Sequence, residues 1–329
     1  SGVGTDTTLG TALGLIENIA AIDIINNSWG GAGNCTSESS CRTAIGSTVY
    51  DNWEDLSQLS TPKISVFAAG NDGTSEPSPQ CQSMVYNNDI NAVSVCVVAT
   101  SHYTGSSYNV VDGALATFSN KCGKVSAYCI AAPGDYLWSL RHDSNGEKFE
   151  SGTSMAAPMV SGGLAIIMQE FSSLTPAQVV SRLLVTANDV GEYSQSSIYG
   201  HGLMNLNAAT TAVAKLQTIN GSNLLDDPAT SYVDLVNNSF ISSAAFSNAL
   251  SSALNGQTME VYDSFDRANF DVAVDSFFTS GSYTSQNTIE NHMLRLEPKN
   301  THKVKNKNLY GSFTVETNGN YIESSMFQS

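Results

Sequence analysis

The chain has 329 residues, 41% hydrophobic and only 13% charged, with a formal net charge of −16. That balance argues against nucleic-acid binding, which needs a basic footprint. No apolar run is long enough to cross a bilayer as a helix. The length suits one large domain with an appendage, or two domains.

Residues 1–10 read as a Gly/Thr-rich loop. Leu9, Ala12, Leu13, Ile16, Ile19 and Ala20 recur at three and four residues, which predicts an amphipathic helix over 8–20. Residues 21–27 form a short apolar strand, and 32–41 a polar loop clipped by Cys35–Cys41. Ile45, Val49, Trp53 and Leu56 share one face of a helix over 43–59. Residues 63–69 read as a buried strand that ends in the polar turn Gly70-Asn71-Asp72-Gly73. Residues 76–91, rich in Pro, Ser and Asn, read as irregular. Strands follow at 92–100, 116–120 and 125–132, and then a hairpin over 135–150 turning at Ser144-Asn145-Gly146.

Ser151-Gly152-Thr153-Ser154-Met155-Ala156-Ala157-Pro158 opens a helix over 154–169 that carries no charge before Glu170. A helix apolar or small all round is expected to be buried, here at the centre of the fold. Pro158 fits only in its first turn. Ser154 then lies at the helix mouth, where free N–H groups and the positive dipole end favour an oxyanion. Thr175-Pro176-Ala177-Gln178 is a capping box that starts a helix running to about residue 187. A last helix is expected over about 205–216. This alternation of helix and strand predicts an α/β fold with a mainly parallel sheet and helices on both faces. Residues 217–329 are poorer in aliphatic residues, with a short helix over 244–254, strand-like alternation over 259–274 and a small basic cluster over 303–307 that reads as a solvated turn. The chain therefore divides into 1–216 and a β-rich, irregular extension, 217–329.

The stretch Ser151 to Pro158 closely resembles the serine signature of the subtilisin-like peptidases, G-T-S-M-A-x-P. Three further stretches resemble that family in its own order: Ile25-Asn26-Asn27-Ser28-Trp29-Gly30-Gly31, Phe67-Ala68-Ala69-Gly70-Asn71-Asp72 and Ala131-Ala132-Pro133-Gly134. The resemblance covers roughly residues 8–214 and implies the subtilisin-like three-layer fold. It implies a serine endopeptidase acting on polypeptides, with Ser154 as nucleophile. Asn71 and the backbone N–H of Ser154 would be the oxyanion donors. Ser28, Trp29 and Gly30 would pair with the substrate backbone and wall the pocket for the residue before the cut. Taken alone, Ser154 would be an N-cap serine and Asn71 a turn residue.

A serine nucleophile needs a base that is itself oriented by a third group. The family's order is Asp, His, Ser, yet no His precedes the Ser28-Trp29-Gly30 strand. His102, His142, His201, His292 and His302 lack an H-G-T context, and Asp6 and Asp23 lack D-[ST]-G. Neither base nor orienter is assigned. Both are expected before Ser1, so residues 1–329 alone should be nearly inactive. The other reading is a non-catalytic surface or passenger protein that keeps the fold.

The six cysteines fall in near pairs, expected as Cys35–Cys41, Cys81–Cys96 and Cys122–Cys129, although other connectivities are open. Paired cysteines in a Ser/Asn/Thr/Gly-rich chain suit an oxidising compartment, hence a secreted or cell-surface protein. No cofactor is assigned, and structural calcium is left open. Residues 217–329 weakly resemble the segment that follows the protease in bacterial autotransporter subtilases. That resemblance implies an outer-membrane barrel in the full-length chain, and 329 residues leave no room for one here.

Overall fold

A computed structural model describes residues 6–31, 33–101, 103–104, 107–108, 113–141, 144–214, 216–219, 232–234, 240–243, 252–274, 278–281, 301–306, 309–315 and 322–327. The chain divides into two compact units, Ser1–Val213 and Ala214–Ser329.

In the first unit the order is α1 (Asp6–Glu17), β1 (Ile24–Asn27), α2 (Glu38–Ile45), α3 (Ser47–Gln58), β2 (Ile64–Ala68), α4 (Pro79–Ser83), α5 (Asn88–Ala92) and β3 (Ser94–Ser101). Two-residue strands β4 (Tyr103–Thr104) and β5 (Ser107–Tyr108) precede a 3₁₀ turn over Gly123–Tyr128. Then come β6 (Cys129–Asp135), the hairpin β7 (Leu137–Leu140) and β8 (Glu147–Glu150), α6 (Thr153–Glu170) and α7 (Pro176–Val185). Short helices α8 (Ser196–Tyr199) and α9 (Leu206–Ala209) close it.

The strands pair in parallel in the order β1-β2-β3-β6, with Ile24 opposite Ile64, Ser65 opposite Ser94 and Cys96 opposite Cys129. Every residue of β2, and β3 as far as Thr100, is buried. Continuous burial marks parallel strands covered on both faces. Trp53 of α3 packs on Phe67 at 4.5 Å between ring centroids, covering one face. On the other, α6 lies across all four strands. The fold is thus subtilisin-like α/β.

Several local expectations are corrected. The helix expected over 43–59 is two helices, parted at Gly46, whose φ of +102° a glycine tolerates. A Cβ there would lie 2.3 Å from the Asp6 carboxylate, which instead accepts a bond from Val49 N at the mouth of α3. The stretch 76–91 is not irregular: Pro79 opens α4 as a first-turn proline, and Asn87 caps α5 by accepting from Asp89 N and Ile90 N. Residues 116–120 are no strand but a tight turn, with Ser119 N bonded to Ala116 O. Residues 125–128 are 3₁₀, so the strand starts at Cys129. The last helix shrinks to Leu206–Ala209.

The central helix α6 is also not buried all round. Ala156, Ala157, Val160, Leu164 and Ile167 face the sheet, while Met159 and Ile166 are 45% and 48% exposed. All-round apolarity signals burial only where a further layer covers the outer stripe, and no described residue covers these two. The capping box at Thr175 forms as expected, with both reciprocal bonds to Gln178. So do the three bridges Cys35–Cys41, Cys81–Cys96 and Cys122–Cys129, with Cα separations of 5.0, 5.3 and 5.8 Å.

The second unit holds an antiparallel sheet β10-β9-β12-β13, built from β9 (Leu216–Ile219), β10 (Tyr232–Asp234), β12 (Thr258–Asp263) and β13 (Asn269–Ala273). Strands β11 (Phe240–Ser243) and β14 (Phe278–Gly281) pair in parallel. Strands β15 (Thr301–Asn306), β16 (Leu309–Val315) and β17 (Ile322–Phe327) form a meander. The basic cluster is therefore mostly strand rather than a turn, with Lys303 opposite Ser312. Of the helix expected over 244–254, residues 244–251 lie outside the described residues, and 252–254 are helical.

Candidate active site

Gly152 N donates to Gly134 O at 2.7 Å, clamping the start of α6 to the end of β6. Only glycine fits at 134, because a Cβ would come within 2.6 Å of Ala99 Cβ and 2.9 Å of Gly152 O. The clamp sets Ser154, half-buried, in the first turn of α6. Its Oγ donates to Ser28 O at 3.3 Å, and Ser28 Oγ donates back to Ser154 O at 2.8 Å. Asn26 Nδ2 in turn donates to Ser28 Oγ at 2.9 Å. The end of β1 is thereby stitched to the mouth of α6. The Ser154 N–H belongs to the unpaired first turn, and no described residue accepts from it.

Asn71 follows the end of β2. Its Oδ1 accepts from both Thr153 N and Thr153 Oγ1 at 2.9 Å, and Thr153 Oγ1 accepts from Gly70 N at 3.2 Å. A backbone N–H can only donate, so this contact fixes which end of the amide is oxygen. The Nδ2 points elsewhere and meets no acceptor among the described residues. A Cβ on Gly152 would sit 3.4 Å from Asn71 Nδ2 and 3.6 Å from Ser154 N. Two unpaired donors therefore border one small space that glycine leaves open. Asn120, buried behind this loop, holds it from inside. Its Nδ2 donates to Ala69 O, and its Oδ1 accepts from Asp72 N and Thr74 N, all at 3.0 Å.

Ser28, Trp29, Gly30, Asn71 and Ser154 all line one cleft of about 560 Å³. Trp29 meets Phe67 edge to face at 5.8 Å. Gly30 turns towards Ser78 and Gln80, where a Cβ would have 3.3 Å to each, while Gly31 opens into space. The ionisable residues of the lining are Asp6 and Asp72. His201 lies outside this lining, its Nε2 3.0 Å from Ala127 O. His102, His142, His292 and the side chain of His302 fall outside the described residues. Among the described residues no cluster of three or more His, Cys, Asp or Glu could hold a metal. Thr153, Asn120 and Gln80 escaped the sequence reading. Thr153 at least stood inside the serine signature, whereas nothing local marks the other two.

The subtilase family model matches residues 1–202. Serotype-specific antigen 1 of Mannheimia haemolytica is 32% identical over 150 residues, 44% of this chain and 15% of that protein. The extracellular serine protease of Serratia marcescens is 33% identical over 116 residues, 29% of this chain and 11% of that protein. The Neisserial autotransporter lipoprotein NalP of Neisseria meningitidis serogroup B is 27% identical over 154 residues, 45% of this chain and 14% of that protein. The matched stretch thus spans 15% or less of each of these relatives. Among solved structures, the subtilase cytotoxin SubAB assembly aligns with a TM-score of 0.49 at 22% identity, covering 64% of this chain and 66% of that one.

Proposed function

Because the chain belongs to the subtilase family, we propose that it carries the serine-endopeptidase centre of a protein that cuts polypeptides. Ser154 Oγ attacks the scissile carbonyl carbon and gives its proton to a histidine base. The carbonyl oxygen becomes an oxyanion held between the Ser154 N–H and Asn71 Nδ2. The substrate backbone lies along residues 28–30. Neither that base nor its carboxylate partner is assigned to a residue of this sequence. Without such a base a serine hydroxyl is a weak nucleophile.

One observation carries this reading. The Asn71 amide is gripped through its oxygen by Thr153, while its nitrogen and the Ser154 N–H, beside Gly152, have no partner among the described residues. Preorganised, unpaired donors are what a developing oxyanion requires. A non-catalytic passenger has no need of such a pair. The names of the extracellular and autotransporter relatives, together with three disulfides, support a site of action outside the cytoplasm. They also support residues 217–329 as a link towards an outer-membrane barrel in the full-length protein.

The test is peptide hydrolysis by the full-length protein with and without Ser154→Ala. In subtilisin, a member of this family, loss of the nucleophile costs about 2 × 10⁶ in turnover, and a loss of that order is expected. Equal turnover in the two proteins would overturn the assignment.

A further inference from the structure

Two glutamines at the start of α4 have different fates. Gln82 is fully committed: its Nε2 donates to Gly33 O at 3.1 Å and Pro77 O at 2.6 Å, and its Oε1 accepts from Cys35 N at 2.9 Å. Gln80 is also buried, at 3% exposure, but only its Oε1 is engaged, accepting from Gly31 N at 3.4 Å. Among the described residues nothing bonds its Nε2. The sealed side-chain atoms that lack partners lie on other residues, Trp53, Ser94 and Thr100 among them. The Gln80 amide nitrogen is thus unpartnered without being sealed, and Gln80 lines the cleft together with Gly30 and Ser154.

The backbone on either side of Gln80 is held in place. Pro79 precedes this residue in the first turn of α4, and Cys81 follows it, bridged to Cys96 on β3. The neighbouring Ser78 Oγ donates to Ala68 O at 3.3 Å, which commits its one proton. An apolar group filling this end of the cleft would strip water from the amide and leave it unpaired. A carbonyl oxygen would pair it. The ionisable groups of the lining, Asp6 and Asp72, are both acids. An entering carboxylate would meet like charge, so the matching acceptor is neutral.

We propose that Gln80 determines specificity: its amide N–H₂ selects polypeptides whose side chain before the cut carries a neutral carbonyl, glutamine or asparagine. This rests on the reading of Ser154 as the nucleophile beside the edge at residues 28–30.

Binding separates the two ideas. Dissociation constants are measured on the full-length protein carrying Ser154→Ala, alone and combined with Gln80→Leu or Gln80→Glu. The peptides are identical except for Gln, Leu, Glu or Lys before the cut. The Gln peptide should bind about tenfold tighter than the Leu peptide, the scale of one buried, satisfied donor. Gln80→Leu should erase that preference by weakening the Gln peptide and tightening the Leu peptide. Gln80→Glu keeps an oxygen for Gly31 N but has no donor, and should exchange the Gln preference for Lys. Equal affinity for Gln and Leu in the parent would overturn the proposal. So would a parent that binds Lys best, or an equal loss for all four peptides in both Gln80 variants. If Ser154→Ala instead leaves hydrolysis intact, the nucleophile reading fails, while the affinities still judge Gln80.

Discussion

Replacing Thr153 by valine removes one buried hydroxyl and keeps the side chain's branching. That hydroxyl donates to Asn71 Oδ1 and accepts from Gly70 N. The bond to Asn71 Oδ1 contributes about 1 kcal/mol net, and orphaning the Gly70 N–H costs about 1–3 kcal/mol. The stability loss should be about 2–4 kcal/mol, within what a domain of about 5–15 kcal/mol survives. Asn71 keeps its bond from Thr153 N, so the amide is loosened rather than released. Complete loss of an oxyanion donor, as measured in a subtilisin, costs about 10²–10³ in turnover. The partial loss here should lower kcat about tenfold and leave KM nearly unchanged, since the contact matures in the transition state. Thr153→Ser keeps the hydroxyl and should stay near the parent in both respects. Urea denaturation and peptide kinetics on the full-length protein measure the two effects. A valine variant that loses stability but keeps kcat would refute the link from Thr153 to Asn71. A serine variant that falls as far as valine would show that the hydroxyl is not the cause.

Burial, the leading cause, pushes the Tyr50 phenol up to about 12 from the usual 10.0. Between these values the unfolded chain releases a proton that the folded chain retains, so stability is fully present below about pH 10 and falls as pH rises towards 12. Tyr50→Phe should flatten that alkaline limb in denaturant midpoints; an unchanged limb would assign it to other groups. Replacing both Cys81 and Cys96, 15 positions apart, by alanine should lower stability by about 3 kcal/mol. An unshifted urea midpoint would show that the bridge constrains nothing. Arg182, fully buried, donates from Nε to Ala209 O at 2.7 Å and from a terminal nitrogen to Thr211 O, and it stacks on Phe171 at 4.4 Å. Lysine cannot span both carbonyls, so Arg182→Lys should cost about 2 kcal/mol, visible as a lower Tm. An unchanged Tm would mean that one ammonium suffices.

Strands β2 and β3 were legible because burial on both faces forces unbroken apolar runs, and α7 because its cap chemistry is local. The errors sit where a distant group decides. The helix breaks at Gly46, whose φ is positive and where the Asp6 carboxylate fills the space a Cβ would need. The Pro-rich stretch 76–91 becomes helical because Pro79 and Asn87 act as helix starts rather than breakers. At the candidate site the motifs marked Ser154, Asn71 and residues 28–30, and all five residues share one cleft. The supporting polar groups were invisible for a different reason. Asn120 reaches the Asn71 loop across 46–51 positions of sequence, and no local pattern encodes a contact of that range.

The pairing of the parallel sheet also sets how the chain must find its structure. Residue 24 must meet 64, 65 must meet 94, and 96 must meet 129 before the central strands exist. The disulfides close loops with separations of only 6, 15 and 7 positions. Oxidation can therefore rigidify turns early without bringing any two of these strands together. Such non-local pairing is slow, on the order of milliseconds to seconds. Until it is complete, the continuous apolar runs of β2 and β3 stay open to association with other chains.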